Sequence, residues 1–150
     1  TLQHGRPGAR DDELWEALRA AQAADFVQDL DDGLDHEVDQ GGVNFSGGQR
    51  QRLAIARALV REAGVYIFDD SFSALDYATD ARLRAGLARA TGGATLIVVA
   101  QRVASIRSAE QIVVLDEGRV VGIGTHGELM EGCPTYAEIV LSQISAQEAA

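Results

Sequence analysis

Asn44-Phe45-Ser46-Gly47-Gly48-Gln49-Arg50-Gln51-Arg52 is the most informative stretch of this sequence. A serine and two glycines precede apolar residues at helical spacing (Leu53, Ala56, Leu59, Val60), so a helix is expected from Gly47 to about Arg61. The first turn of a helix exposes N–H groups without partners and the positive end of the dipole, and that combination holds phosphate. Glycines let such a backbone approach its ligand closely. Taken alone, the pattern more often describes a Gly-rich cap with nothing bound to it.

The second signal is Val65-Tyr66-Ile67-Phe68-Asp69-Asp70. Its β-branched and aromatic residues read as a buried strand. Such a strand carries its terminal carboxylate rigidly to the sheet edge where ligands bind. Asp69 there suits Mg²⁺, directly or through water. Two strand-end acids facing solvent are the plainer reading of the same residues.

Strands and helices alternate around these two stretches, which predicts an α/β layer fold. Residues 1–10 read as an irregular lead-in. Asp11 is the expected N-cap of a helix over residues 12–27, with Leu14, Trp15, Leu18 and Ala21 as its buried stripe. Residues 29–46 read as a polar loop. A helix capped by Asp76 is expected over residues 76–90, and a second buried strand over Thr95 to Ala100. Gln111–Leu115 and Arg119–Ile123 flank Asp116-Glu117-Gly118 as a hairpin. Thr125 and Glu128 have capping-box spacing for a short helix. A last helix is expected over Tyr136 to Ile144.

Composition narrows the classes. In 150 residues, 46% apolar and 24% charged, disorder is not expected. The longest apolar run, Ala94 to Ala100, is too short to span a membrane, and no signal peptide is visible. The net charge of -10 and pI of about 4.6 argue against sequence-independent nucleic-acid binding. Charge is uneven: residues 1–39 carry -8, residues 50–107 carry +4 and residues 108–150 carry -6. A basic centre suits an anionic ligand. One cysteine, Cys133, excludes an intrachain disulfide and fits a reducing compartment. His4, His36 and His126 lack ligand-like spacing. Arg50, Arg57 and Arg61 read as a solvated or interface-pairing face. All 13 basic residues are arginine. Without a lysine the chain holds no Walker A sequence, G-x-x-x-x-G-K-[ST]. A chain that opens at Thr1 rather than methionine reads as processed or excised.

In order and spacing, FSGGQRQR, then VYIFDD, then SALD at Ser73 to Asp76 closely resemble the signature motif, Walker B strand and D-loop of the ATP-binding cassette (ABC) family. TLIVVAQR (Thr95 to Arg102) resembles the family's switch-loop strand, and THGEL (Thr125 to Leu129) its C-terminal portion. The resemblance covers nearly the whole chain from about Asp11. It implies a partial P-loop NTPase (RecA-like) core with the ABC α-helical subdomain and the Walker A portion missing. About residues 11–62 would form the helical subdomain and signature helix, and about 63–150 the second half of the ATP-binding core.

The resemblance also implies ATP and Mg²⁺ as cofactors and a site split between two nucleotide-binding domains. Ser46, Gly47, Gly48 and Gln49 would contact the γ-phosphate of ATP held by a partner. Asp76 would sit at the dimer interface, and Asp69 would serve the metal of the chain's own site through water.

The sequence departs from the family pattern in three ways. Asp70 stands where glutamate is usual, Gln101 where the switch loop has histidine, and Ser71-Phe72 where proline-threonine follows the Walker B strand. Asp70 is one methylene short for a water-orienting base, and a misplaced base forfeits ~10²–10⁴-fold in rate. Gln101 donates a hydrogen bond but carries no charge. The pairing resembles the degenerate side of an asymmetric heterodimer: this subunit would complete a partner's competent site while its own mainly binds ATP.

Glu37-Val38-Asp39-Gln40-Gly41-Gly42 resembles the loop with which exporters contact their membrane domains, with Asp39 in place of glycine. A multidrug- or lipid-type exporter at the cytoplasmic face of the membrane is therefore expected, with transmembrane domains and a second nucleotide-binding domain as partners and no nucleic acid. The alternatives are a non-catalytic interaction module and a soluble ABC ATPase outside transport. Alone, the chain is not expected to hydrolyse ATP. In the family's sheet the Walker A strand lies between the strands equivalent to Thr95–Ala100 and Gln111–Leu115. Without it, the isolated residues are expected to be poorly stable, to re-pair their strands or to rely on other chains.

Overall fold

The computed structural model describes residues 2–148, with side chains through residue 144. Two compact units divide between Val99 and Ala100.

The first unit is helical around one parallel strand pair. Its helices are α1 (Asp11–Ala20), α2 (Ala24–Gln28), α3 (Gly47–Leu59) and α4 (Tyr77–Ala90). Its strands are β1 (Val65–Asp69) and β2 (Thr95–Val99), joined in parallel with Ile67 opposite Ile97. Leu14, Leu18, Val27, Ile55, Leu59, Phe68, Leu83 and Leu87 lie in its core.

The expected helix over residues 12–27 is two helices. Gln22 takes a left-handed φ of 56°. Ala23 N–H bonds the Leu18 carbonyl (2.8 Å) and Gln22 N–H that of Arg19 (3.1 Å). This is a Schellman ending, with glutamine where glycine is usual. The N-cap is Arg10 rather than Asp11, and its backbone N–H donates to Glu13 Oε2 at 2.8 Å. The lead-in is ordered as well. Residues 2–4 form a 3₁₀ turn, Leu2 is buried, and Arg6 bridges Glu13 and Glu62.

Helix α3 ends at Leu59, short of the expected Arg61, and α4 starts after its expected cap, Asp76. Asp80 is buried inside α4 with Arg84 beside it at 3.3 Å. The strands are less buried than expected: β1 buries alternate residues only, and in β2 only Val98 is partly covered. A two-stranded sheet cannot cover both of its own faces.

The second unit holds α5 (Val103–Ile106), the hairpin β3 (Ile112–Asp116) and β4 (Arg119–Gly124), α6 (His126–Gly132) and α7 (Pro134–Glu148). The hairpin turns through Glu117 (φ 46°) and Gly118 (φ 75°), the left-handed pair that a tight antiparallel turn requires. Thr125 and Glu128 form the expected capping box. The last helix begins two residues before Tyr136, at Pro134, a residue suited to a first helical turn. Val103, Ile112, Val114, Leu129, Cys133, Tyr136 and Val140 form this unit's core. Among the described residues the strands make two separate two-stranded sheets.

Candidate functional site

Ser46 begins the site by capping α3. Its Oγ accepts from Gln49 N–H at 3.2 Å, and Gln49 Oε1 accepts from Ser46 N–H at 2.8 Å. This reciprocal box satisfies two backbone donors and leaves the first-turn N–H groups of Gly47 and Gly48 without an intrahelical partner at the positive end of a 13-residue helix. Ser46 is exposed, and Gly47, Gly48 and Gln49 are half-buried. Such a surface suits an anion approaching from outside the chain.

Arg50 lies on an exposed face, as expected, but also bonds backbone carbonyls, and Arg52 is half-buried. Arg50 donates to the Phe45 carbonyl at 2.7 Å and to the Gly42 carbonyl at 3.4 Å. Arg52 donates to the Gln22 carbonyl at 2.7 Å and lies over the Phe26 ring at 4.9 Å. It thereby joins α3 to the Schellman turn that ends α1. Burial lowers the Arg52 pKa, and Asp76 and Asp25 oppose that effect.

Asp69 ends β1 with an exposed side chain, and Asp70 follows with a left-handed φ of 47°. Asp70 N–H continues the parallel ladder to the Val99 carbonyl at 3.1 Å. The backbone then turns, with Ser73 Oγ donating to the Asp70 carbonyl at 3.1 Å. Aspartate tolerates this region better than most residues, and local strain of this kind clusters at functional sites. Asp76 Oδ1 accepts from Thr79 N–H at 2.9 Å and Oδ2 from Thr79 Oγ at 2.7 Å, and these bonds hold its carboxyl below the ordinary range.

No group of three or more His, Cys, Asp or Glu side chains among the described residues is arranged to hold a metal. The single open carboxylate of Asp69 fits Mg²⁺ only in the manner usual for that ion, one or two carboxylates completed by water and substrate phosphates.

The structure brings Ser46–Gln49 beside the turn that carries Asp70 and Asp76. An added Cβ on Gly48 would meet the Ala74 carbonyl at 3.1 Å, and one on Gly47 the Ala74 Cβ at 3.7 Å. Gln101 belongs to the second unit, is exposed, and precedes α5. Two glutamines escaped the sequence reading. Gln51 bonds the Asp70–Ala74 turn. Gln143 on α7 donates to the Gln101 carbonyl at 2.7 Å and accepts from Val103 N–H at 2.9 Å. Gln51 shares a helix face with Gly47 and Gly48, a signal available in the sequence. Nothing in sequence links Gln143 to a loop some forty residues away.

A family model described as "ABC transporter" matches residues 4–73. An uncharacterised ABC transporter ATP-binding protein of Mycobacterium tuberculosis is 58% identical over 131 residues, covering 87% of this chain and 22% of that protein. An ATP-dependent lipid A-core flippase of Alkalilimnicola ehrlichii is 45% identical over 127 residues, covering 85% of this chain and 22% of that protein. Among solved structures, a bacterial Atm1-family ABC exporter with ATP bound superposes with a TM-score of 0.89 at 36% identity, covering 95% of this chain and 25% of that one. The chain thus spans 22% of the length of these curated relatives. No helix among the described residues is long and apolar enough to cross a membrane.

Proposed function

The chain belongs to the ABC transporter ATPase family, and from that membership we propose that it is part of the ATP-binding half of an exporter that offers Ser46–Gln49 to nucleotide held by a second ATP-binding domain. The observation that carries this reading is the first turn of α3, where two half-buried glycines follow an exposed serine cap at the positive end of the helix. The sites of such a pair are shared, so turnover at one depends on residues of the other chain.

In the chain's own site, Asp69 would hold Mg²⁺ through water. Bound there, the ion would offset phosphate charge. By the family resemblance Asp70 stands where a water-orienting carboxylate is usual, and its side chain, one methylene shorter, would hold that group back from the reacting atoms. Gln101 would offer a neutral hydrogen bond where a charged imidazole is usual in the family. These substitutions support a site that binds ATP and turns it over slowly, paired with a competent site completed by this chain. Transmembrane domains and a cytoplasmic-face location follow from the exporter reading.

The test mixes this chain with a complete ATP-binding domain of a related exporter and follows ATP hydrolysis. Ser46→Ala should abolish the turnover that mixing produces, and Asp70→Asn should change it little. The opposite pattern overturns the assignment. A second reading is a module that acts only through its signature face. On that reading, mixing changes the partner's rate while no ATP binds this chain alone.

A further inference from the structure

Gly47, Gly48 and Gln51 lie along one face of α3, and that face packs on the turn after β1. Gln51 grips the turn with both ends of its amide. Its Nε2 donates to the Asp70 carbonyl at 3.3 Å and to Ser73 Oγ at 3.1 Å, and its Oε1 accepts from Ala74 N–H at 3.0 Å. The glycines permit this approach, since a Cβ on Gly48 would crowd the Ala74 carbonyl and Leu75 Cδ2. The gripped turn begins at Asp70, whose left-handed backbone needs support from its surroundings, and ends two residues before the Asp76 cap of α4.

We propose that Gln51 is a positioning residue that joins Ser46–Gln49 to the Asp70–Asp76 turn, so that the surface offered to a partner's nucleotide and the carboxylates of the chain's own site move as one body. This rests on the assignment of Ser46–Gln49 to a partner's nucleotide. The three hydrogen bonds are satisfied within one subunit, so they exist before any partner docks. Loss of the Gln51 amide would free the first turn of α3 from the Asp70–Ala74 turn and so misplace Ser46–Gln49 against the partner's nucleotide. The link needs no charge, since the groups that Gln51 holds are two backbone groups and a hydroxyl.

The test replaces the amide with an apolar chain of similar length, Gln51→Met, in the full chain. Two readouts are taken with the complete partner domain present. First, amide exchange at Ala74 should quicken on the order of 10-fold, the factor for losing one or two net hydrogen bonds, while Leu53 to Leu59 in α3 keep their protection. Second, turnover produced by mixing should fall ~10-fold, inside the range that misplacement of a reacting group costs, with KM for ATP within two-fold of the parent. A purely structural role would strip protection from α3 and raise KM with the fall in rate, and that result overturns the proposal. Unchanged exchange, or changed exchange with an unchanged rate, also overturns it. Should the parent chain leave the partner's rate unaltered, the signature-donor reading fails by itself, and Ala74 exchange then decides whether Gln51 couples the two segments.

Discussion

Ser46 caps α3 and is proposed to meet a partner's nucleotide, and a single substitution can separate the two roles. As N-cap of α3 it accepts from Gln49 N–H; as an exposed residue it precedes two half-buried glycines. Ser46→Ala removes both and should cost about 1 kcal/mol of stability. Ser46→Asp keeps a good cap but places negative charge where an anion is expected to dock. The aspartate variant should therefore melt within a few degrees of the parent and still fail to raise a partner's ATP turnover. Normal stimulation by Ser46→Asp would mean that the hydroxyl is a cap and nothing more. Asp76 allows a second separation. Bonds from Thr79 N–H and Oγ hold its carboxyl below the ordinary range. A depressed folded-state pKa stabilises the fold above the ordinary carboxylate range, and that contribution is lost as pH falls through the folded value. Thr79→Val removes one bond, so an NMR titration should place the Asp76 carboxyl higher in the variant, and acid unfolding should begin at higher pH. An unmoved titration would show that the backbone N–H alone sets the shift.

Between elements, close approach is set by missing side chains. A Cβ added to Gly86 of α4 would strike the Ala20 carbonyl at the end of α1, so these helices meet only because that position is bare. Gly86→Ala should cost about 2 kcal/mol, in the range for overpacking a filled core, although the same change in an exposed helix would stabilise it. Thermal melting reads the sign directly, and a raised Tm would show that α1 retreats at no cost. This contact also marks what sequence could and could not show. The caps at Ser46, Asp76 and Thr125, the Glu117-Gly118 turn and the order of strands and helices were legible, because each depends on neighbours within a few residues. The break after α1 was not, because glutamine occupies a left-handed ending where glycine would announce it. Nor was Gly86, which has no local reason to be glycine. In the site, the motif residues stood out, but Gln51 and Gln143 did not. Gln143 acts on backbone groups some forty residues away, which leave no residue type to read, and Gln51, although on the glycines' helix face, finds its partners 19 to 23 residues on.

Across the whole chain, both strand pairs present apolar residues to solvent. Ile67 is 68% exposed on β1 and Val99 is 53% exposed on β2; Leu115 and Ile123 in the hairpin are 66% and 58% exposed. β2 pairs only with β1, and β3 only with β4, among the described residues. Each sheet therefore has an open edge as well as an uncovered face, the combination that recruits other chains. The purified chain should bind an apolar-surface dye and associate as its concentration rises. Ile67→Lys and Ile123→Lys together should reduce both effects without altering the buried residues around Leu18 in the first unit or Leu129 in the second, because each position is exposed on its own unit. A clean monomer with one cooperative unfolding transition in the parent chain would contradict this account. The same purified chain answers the catalytic question. It has no lysine to reach the β- and γ-phosphates, so ATP should remain intact in its presence over hours, with or without Mg²⁺. Turnover that survives removal of contaminants would mean that arginine, the chain's only basic side chain besides three histidines, supports phosphoryl transfer here. The assignment of this chain as a contributor to a partner's site would then give way to a site of its own.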